Sequence, residues 1–474
     1  MIYSCETHCS VKMVSEISSD PKVESGIRLL SAWIESKMAY KGQPGLSIGI
    51  VYDQELVWAK GFGYADVEEG VEASSKTVYR IASITKLFTS TAIIQLRDEG
   101  KLRLDDPITE HLPWFKIQGD HSDSPPIMIR HLLTHTSGLP RESAHPYWST
   151  NDFPTKEEVQ EGLPTQEAPL PTEARWKYSN LALSLAGYIV EAVSGKPYEE
   201  YVKDNILKPL GMDSTFVESP DPDDPRLATG YSRRLPDVER AKSAFTDAKG
   251  ITPAANMATS VEDLARFGML QFRGGPREGS QILKGSTLRE MHQVHWLQPD
   301  WTLGWGWGFN IQRLGGRTYV GHGGSVKGYR TQIRIDVDAK IAVIVLTNAD
   351  DGDPVMYVEK AFQWVAPAVM EAVAVEEPKV TPEEWKGYTG KYRSDWGDTQ
   401  ILILDGELVM LSPMLPDPTP DMTKLVPVSE HTFRMESPMG YGSPGELLVF
   451  ELDENGKVKR VKTGAGYILP VEDW

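Results

Sequence analysis

The sequence predicts an α+β domain, in which one antiparallel sheet flanked by helices is interrupted by an all-helical insertion, followed by a small C-terminal β-barrel. Three observations carry that prediction. Strand-like text stands at residues 45–65 and again at 318–348, apolar helical segments lie between the two blocks, and the composition changes after residue 372 into short strands separated by turns. A length of 474 residues fits two such units at about 100 to 200 residues each.

In chain order, residues 1–21 show no apolar periodicity and read as a flexible tail. Both cysteines, Cys5 and Cys9, fall in it, so no disulfide framework holds the fold; with His8 they supply three ligand types but no fourth, and no metal is expected there. Gly45 to Ala65 reads as two strands around an Asp53-Gln54 turn. Ser83 to Glu99, ending at Gly100, contains neither Gly nor Pro and carries Leu87, Phe88, Ala92, Ile94 and Leu96 as an apolar helix. Asn180 to Val193, ending near Gly195, and Val261 to Phe272 read the same way. Thr318 to Gly321, the alternating Tyr329 to Val337 and the nearly continuous apolar Lys340 to Asn348 are strands, with Asp338-Ala339 as a hairpin turn. A catalytic-sized domain is thus expected over 22–371 and a Glu-, Pro- and Val-rich linker over 372–385. A β-domain follows over 386–474, with hairpins at Asp405-Gly406 and Asn455-Gly456.

Composition excludes several classes. With 49 basic against 67 acidic residues the net charge is −18, which leaves no basic surface to neutralise a phosphate backbone, so nucleic acid is not an expected partner. The longest apolar run, Ile341 to Leu346, is far short of the roughly 20 residues a membrane-spanning helix requires. No basic start followed by an apolar stretch opens the chain, so a cytoplasmic location is expected.

Three serine motifs compete for the role of nucleophile. Gly45-Leu-Ser47-Ile-Gly49 matches a strand–turn–helix elbow in letters only, because the chain continues beyond it as strand, and Ser47 reads as a strand residue. Ser19 and Lys22 form an S-x-x-K pair in an unpatterned tail. Ser83 and Lys86 form another at the start of an apolar helix, where i and i+3 place ammonium beside hydroxyl and the helix dipole favours negative charge. A lysine desolvated there takes a proton from the serine; an N-cap serine beside a solvated lysine is the bland alternative. Tyr178-Ser179-Asn180 directly precedes another apolar helix and supplies a candidate proton relay and a polar clamp on Lys86. Gly321-His322-Gly323-Gly324-Ser325 lies on the strand before the last two of the domain, where glycines admit a close substrate backbone and the N–H of Ser325 pairs with that of Ser83 as a candidate oxyanion hole.

With Ser83-Ile-Thr-Lys86, Tyr178-Ser-Asn180 and His322-Gly-Gly324 in that order, the sequence resembles the penicillin-recognising serine hydrolases. The branch is that of class C β-lactamases, D-alanyl-D-alanine carboxypeptidases, D-aminopeptidases and related carboxylesterases. Gly100 to Pro107, His131 to Pro140, Pro209 to Met212 and Ala258 to Ala265 support the resemblance, which spans about residues 25–365. It implies a β-lactamase/transpeptidase-like domain and an acyl-enzyme mechanism in which Ser83 attacks a carbonyl while Lys86 and Tyr178 handle its proton. It assigns Asn180, His322, Gly323, Gly324 and Ser325 to the substrate and the oxyanion. It also implies no cofactor and no metal, a small-molecule or short-peptide acyl substrate, and leaves homo-oligomerisation open. A carboxylesterase or D-amino-acid peptidase fits best; a β-lactamase, a penicillin-binding sensor and an acyltransferase are the alternatives.

The sequence departs from that pattern at one point. β-Lactamases of this kind carry Lys-Thr-Gly where this chain has His322, and histidine, with an ordinary pKa near 6.5, is a poorer permanent cation. A literal Lys462-Thr463-Gly464 falls in the C-terminal β-domain and reads as coincidence. His131 and His135 lack the intervening Glu of a zinc-protease helix and read as structural. Trp301, Trp305 and Trp307 are candidates for an acyl pocket or for core packing. The C-terminal block resembles lipocalin-like β-domains appended to some D-aminopeptidase relatives, which implies a role in restricting substrates.

Overall fold

A computed structural model describes residues 17–119, 121, 123–274, 281–374, 382–438 and 440–472. Cys5, His8 and Cys9 lie outside these residues, as does much of the expected linker. The chain forms two compact units, residues 1–373 and 374–474.

In the first unit, helix α1 (Pro21–Lys41) is capped by the Asp20 carboxylate, which accepts from the N–H groups of Lys22 and Val23. Ile17, within the segment expected as a loose tail, is already buried against this helix's core. Strands β1 (Gly45–Tyr52) and β2 (Glu55–Asp66) form the expected hairpin, with Asp53 in the left-handed region at its turn. After β3 (Val71–Glu72) and β4 (Tyr79–Arg80), the chain enters helices α2 (Thr85–Asp98) and α3 (Asn180–Ser194) of the insertion. It returns through β5 (Ala258–Thr259) and α4 (Val261–Leu270) to β6 (Trp296–Leu297), β7 (Gly304–Trp305), β8 (Asn310–Leu314), β9 (Arg317–Val326), β10 (Tyr329–Asp336) and β11 (Ile341–Thr347). Helices α5 (Pro354–Trp364) and α6 (Ala366–Val373) close the unit.

The nine-stranded sheet has the order β3-β2-β1-β11-β10-β9-β8-β7-β6, so the last strand of the domain inserts beside the first, antiparallel to both neighbours. Every residue of β11 is buried, which explains its unbroken apolar run. Its period-2 alternation serves two cores: Ile341, Val343 and Val345 pack with α1, α5 and α6, whereas Ala342, Ile344 and Leu346 face the side holding α2, α3 and α4. Helix α2 is buried on all sides from Thr85 to Leu96, as a helix at the centre of a large core must be. Among the described residues, no helix is long and apolar enough to cross a membrane.

The second unit is a closed antiparallel barrel of eight strands, from β12 (Gly390–Ser394) to β19 (Gly466–Val471), with β12 pairing back to β19. Asp405 and Gly406 both have positive φ, as the two-residue turn between β13 (Gly397–Leu404) and β14 (Glu407–Leu411) requires. Side chains fill the interior, among them Tyr392, Ile401, Leu408, Phe433 and Phe450, as is typical of an eight-stranded barrel. Lys462 and Thr463 sit on its strand Val458–Thr463.

Candidate active site

Ser83 stands in a single 3-10 turn, Ala82–Ile84, immediately before α2, and Ala82 takes φ +46, a left-handed conformation uncommon for a residue with a Cβ. The turn rests on β9. Thr331 Oγ1 donates to the Ile81 carbonyl at 3.2 Å, and a Cβ on Gly324 would fall 2.1 Å from that same oxygen. Glycine at 324 therefore lets the serine turn approach the strand. Beside it, β8 pairs with β9 only as far as Gly321, so residues 322–326 present an edge that β8 does not cover. Val326 and Tyr329 close the hairpin across Lys327-Gly328, and antiparallel alternation then turns the N–H and C=O of Ser325 away from β10 toward that edge.

Lys86 is the second residue of α2, one turn beyond Ser83, and is only 1% exposed. It is not the solvated neighbour of a capping serine, and the Ser83 side chain caps no helix. Its ammonium nitrogen has three neighbours: Ser83 Oγ at 3.1 Å, Asn180 Oδ1 at 2.7 Å and the Ala254 carbonyl at 2.7 Å. Burial drives its pKa well below the ordinary lysine value; the Glu142 carboxylate opposes that shift and Arg141 adds to it.

Asn180 opens α3, whose N-terminus is capped by Ser179 Oγ, an acceptor of the Ala182 N–H and a donor to the Pro140 carbonyl. The Asn180 N–H bonds the Arg141 carbonyl, and this lacing of 140–142 to α3 brings Glu142 beside Asn180. Asn180 Nδ2 donates to Glu142 Oε1 at 2.8 Å, and Tyr147 donates its hydroxyl to the other carboxylate oxygen. A carboxylate only accepts, so the amide is oriented with Oδ1 on Lys86.

The Tyr178 hydroxyl lies 2.8 Å from Ser83 Oγ, and the Arg141 guanidinium sits over its ring at 5.0 Å. Burial raises its pKa well above the ordinary phenol value, although the bond to Ser83 opposes this. His322, 6% exposed, bonds the Gly323 carbonyl through Nδ1 at 2.6 Å, an acceptor that requires the proton on that nitrogen. Burial, with the Lys86 charge as a second cause, lowers its pKa to about 3. The ring at the third motif is therefore neutral.

These residues line an open cleft of about 950 Å3 containing Ser83, Tyr178, Asn180 and residues 322–325. The indoles in that cleft are Trp148 and Trp176. Of the tryptophans that were candidates for an acyl pocket or for core packing, Trp305 and Trp307 are buried, as core packing requires, and Trp301 is 79% exposed. Arg141, Glu142, Trp148 and Trp176 also line the cleft and carry no motif of their own; the first two directly follow the His131 to Pro140 phrase, the sequence signal nearest to them. Ser47 is a buried strand residue bonded to Tyr79 and the Ser74 carbonyl, and Lys22 pairs with Glu371 on the surface. The His131 ring is held by the Met128 N–H and Glu173.

The family profile described as Beta-lactamase matches residues 30–366. The chain belongs to the beta-lactamase family. Protein flp of Staphylococcus aureus (strain MW2) is 30% identical over 307 residues, covering 64% of this chain and 59% of that protein, so the chain spans about three fifths of that relative's length. The octameric penicillin-binding protein homologue from Pyrococcus abyssi superposes with a TM-score of 0.62 at 26% identity, covering 94% of this chain and 99% of that one. A D-stereospecific amidohydrolase from Streptomyces gives 0.57 at 25%, covering 74% of this chain and 98% of that one. The architecture is the β-lactamase/transpeptidase-like fold followed by a barrel.

Proposed function

We propose that this chain is a serine hydrolase that cleaves small ester or amide substrates through an acyl-enzyme on Ser83, of carboxylesterase or D-amino-acid amidase and peptidase type. The observation that carries the reading is the setting of Lys86. A neutral amine has two N–H groups and one lone pair; Asn180 Oδ1 and the Ala254 carbonyl are acceptors only and take both N–H groups, leaving the lone pair for the Ser83 hydroxyl. Lys86 is thus the base of acylation, and Tyr178, held protonated by burial, is the donor.

Ser83 Oγ attacks the carbonyl carbon while its proton passes to Lys86 Nζ. The oxyanion forms toward the N–H groups of Ser83 and Ser325. As the C–N or C–O bond breaks, the Tyr178 hydroxyl protonates the leaving group and recovers its proton from Lys86; water then repeats the sequence on the acyl-enzyme. The uncharged His322 offers no ion pair to a substrate carboxylate at the third motif, which supports an ester or amide substrate without a carboxylate at that point.

The test is turnover of a short-chain p-nitrophenyl ester, of D- and L-amino-acid p-nitroanilides and of nitrocefin by the native chain and Ser83→Ala, followed beside intact mass. Ester or anilide turnover lost in the variant supports the reading. A stable adduct without turnover identifies a penicillin-binding sensor instead, and a fully active variant removes Ser83 from the mechanism.

A further inference from the structure

The residues on either side of Tyr178 both donate their backbone N–H to one residue that the mechanism above does not use. The Lys177 N–H donates to the His135 carbonyl at 2.8 Å, and the Ser179 N–H donates to Nδ1 of the His135 ring at 3.2 Å. The imidazole also packs against the Tyr178 phenol, with ring centroids 4.4 Å apart and planes at 35°. His135 is 1% exposed and takes φ +58, a conformation that disfavours any side chain. Trp305 also meets its ring edge-on, with centroids 5.0 Å apart.

A residue chosen only to fill the core has no need of an imidazole or of a left-handed backbone. Those two properties together let one residue offer its carbonyl to position 177 and its ring acceptor to position 179. Because Nδ1 accepts an N–H, the ring proton sits on Nε2, and the three contacts fix the backbone around Tyr178 and back one face of its ring.

We propose that His135 is a positioning residue for Tyr178, holding the phenol hydroxyl against Ser83 Oγ by bonding the backbone on both sides of the tyrosine and backing its ring. The inference rests on the roles proposed above for Ser83 and Tyr178.

The experiment compares His135→Asn, His135→Gly and Ser83→Ala in the full chain with a p-nitrophenyl ester. Asn and Gly both tolerate φ +58, but only Asn places an acceptor where Nδ1 stood. A loss of about 100-fold in kcat is expected for His135→Gly with KM within about threefold, the scale of a misplaced catalytic group, and His135→Asn recovers to within about tenfold of native. Equal kcat in the Asn and Gly variants, or a loss confined to KM, overturns the inference while the Ser83 reading stands. Turnover surviving in Ser83→Ala overturns the reading on which it rests. Should the Gly variant not fold, imidazole 15N shifts of the native protein decide: an unprotonated Nδ1 with Nε2–H at neutral pH is expected, and a protonated Nδ1 overturns the inference.

Discussion

Replacing Glu142 by Gln removes one negative charge from the Lys86 environment while keeping the shape that orients Asn180. The carboxylate and the amine are linked through Asn180 by hydrogen bonds of 2.8 and 2.7 Å. That path puts them roughly 7 Å apart; at an effective dielectric of about 20 the attraction is roughly 2 kcal/mol, or between about 1 and 2 pH units for the lysine. The sign follows from which form is favoured. Glu142 stabilises the charged amine and holds its pKa up against burial, so its loss lets that pKa fall further, with Arg141 pushing the same way. The acid limb of kcat/KM for ester hydrolysis therefore moves down by about 1 to 2 pH units, and the plateau falls because a less basic amine is a weaker base. Steady-state profiles between about pH 4 and 9 on the native and variant proteins read this directly. An acid limb that stays in place, or moves upward, refutes Lys86 as the base and the orientation argued for Asn180.

Further outcomes follow from the same geometry. Tyr178→Phe keeps the ring against His135 and loses only the hydroxyl beside Ser83, so kcat should drop about 10²- to 10⁴-fold with the melting temperature little changed; melting curves and kcat measured together check it. A Cβ at Gly324 meets the Ile81 carbonyl at 2.1 Å, whereas one at Gly323 meets the movable Gln332 side chain at 2.8 Å. Gly324→Ala should thus cost more than about 3 kcal/mol in a denaturant titration and Gly323→Ala much less. The His322 pKa of about 3 lies below the value near 6.5 of an unfolded histidine, so its contribution is fully present above about pH 6.5 and is lost as the unfolded chain takes the proton first on acidification. Urea titrations at about pH 7 and 5 should differ by about 2 kcal/mol from this group, a difference that His322→Gln removes.

Regular elements were legible where burial leaves a clean signature. Strand β11 is buried on both faces and reads as an unbroken apolar run, and the Asp405-Gly406 turn demands two positive φ angles that its residues supply. Ser83, Lys86, Tyr178 and Asn180 were legible as spacings at helix starts, and the structure brings all four within hydrogen-bond reach of one another in a chain of contacts. What the pattern did not contain is the irregular segment between the helices. Glu142, Trp148 and Trp176 come from loops and short turns without periodicity, and the Ala254 carbonyl is a backbone group that no side-chain motif announces. For Trp305 and Trp307 the core-packing alternative holds, because aromatic residues at close spacing fill cores as readily as clefts.

The third motif ties these observations to substrate choice. A lysine at position 322 would place a second amine close to Lys86, and each ammonium would disfavour the charged form of the other. A neutral imidazole, proton fixed on Nδ1 by the Gly323 carbonyl, removes that conflict and with it any permanent cation at this point of the wall. Glu142 lines the same cleft, and its carboxylate keeps the Lys86 pKa from falling still lower while orienting the amide that meets it. On the proposed reading, a substrate carboxylate is therefore expected to gain no ion pair at position 322, while Arg141 and Glu142 present one charge of each sign elsewhere in the cleft.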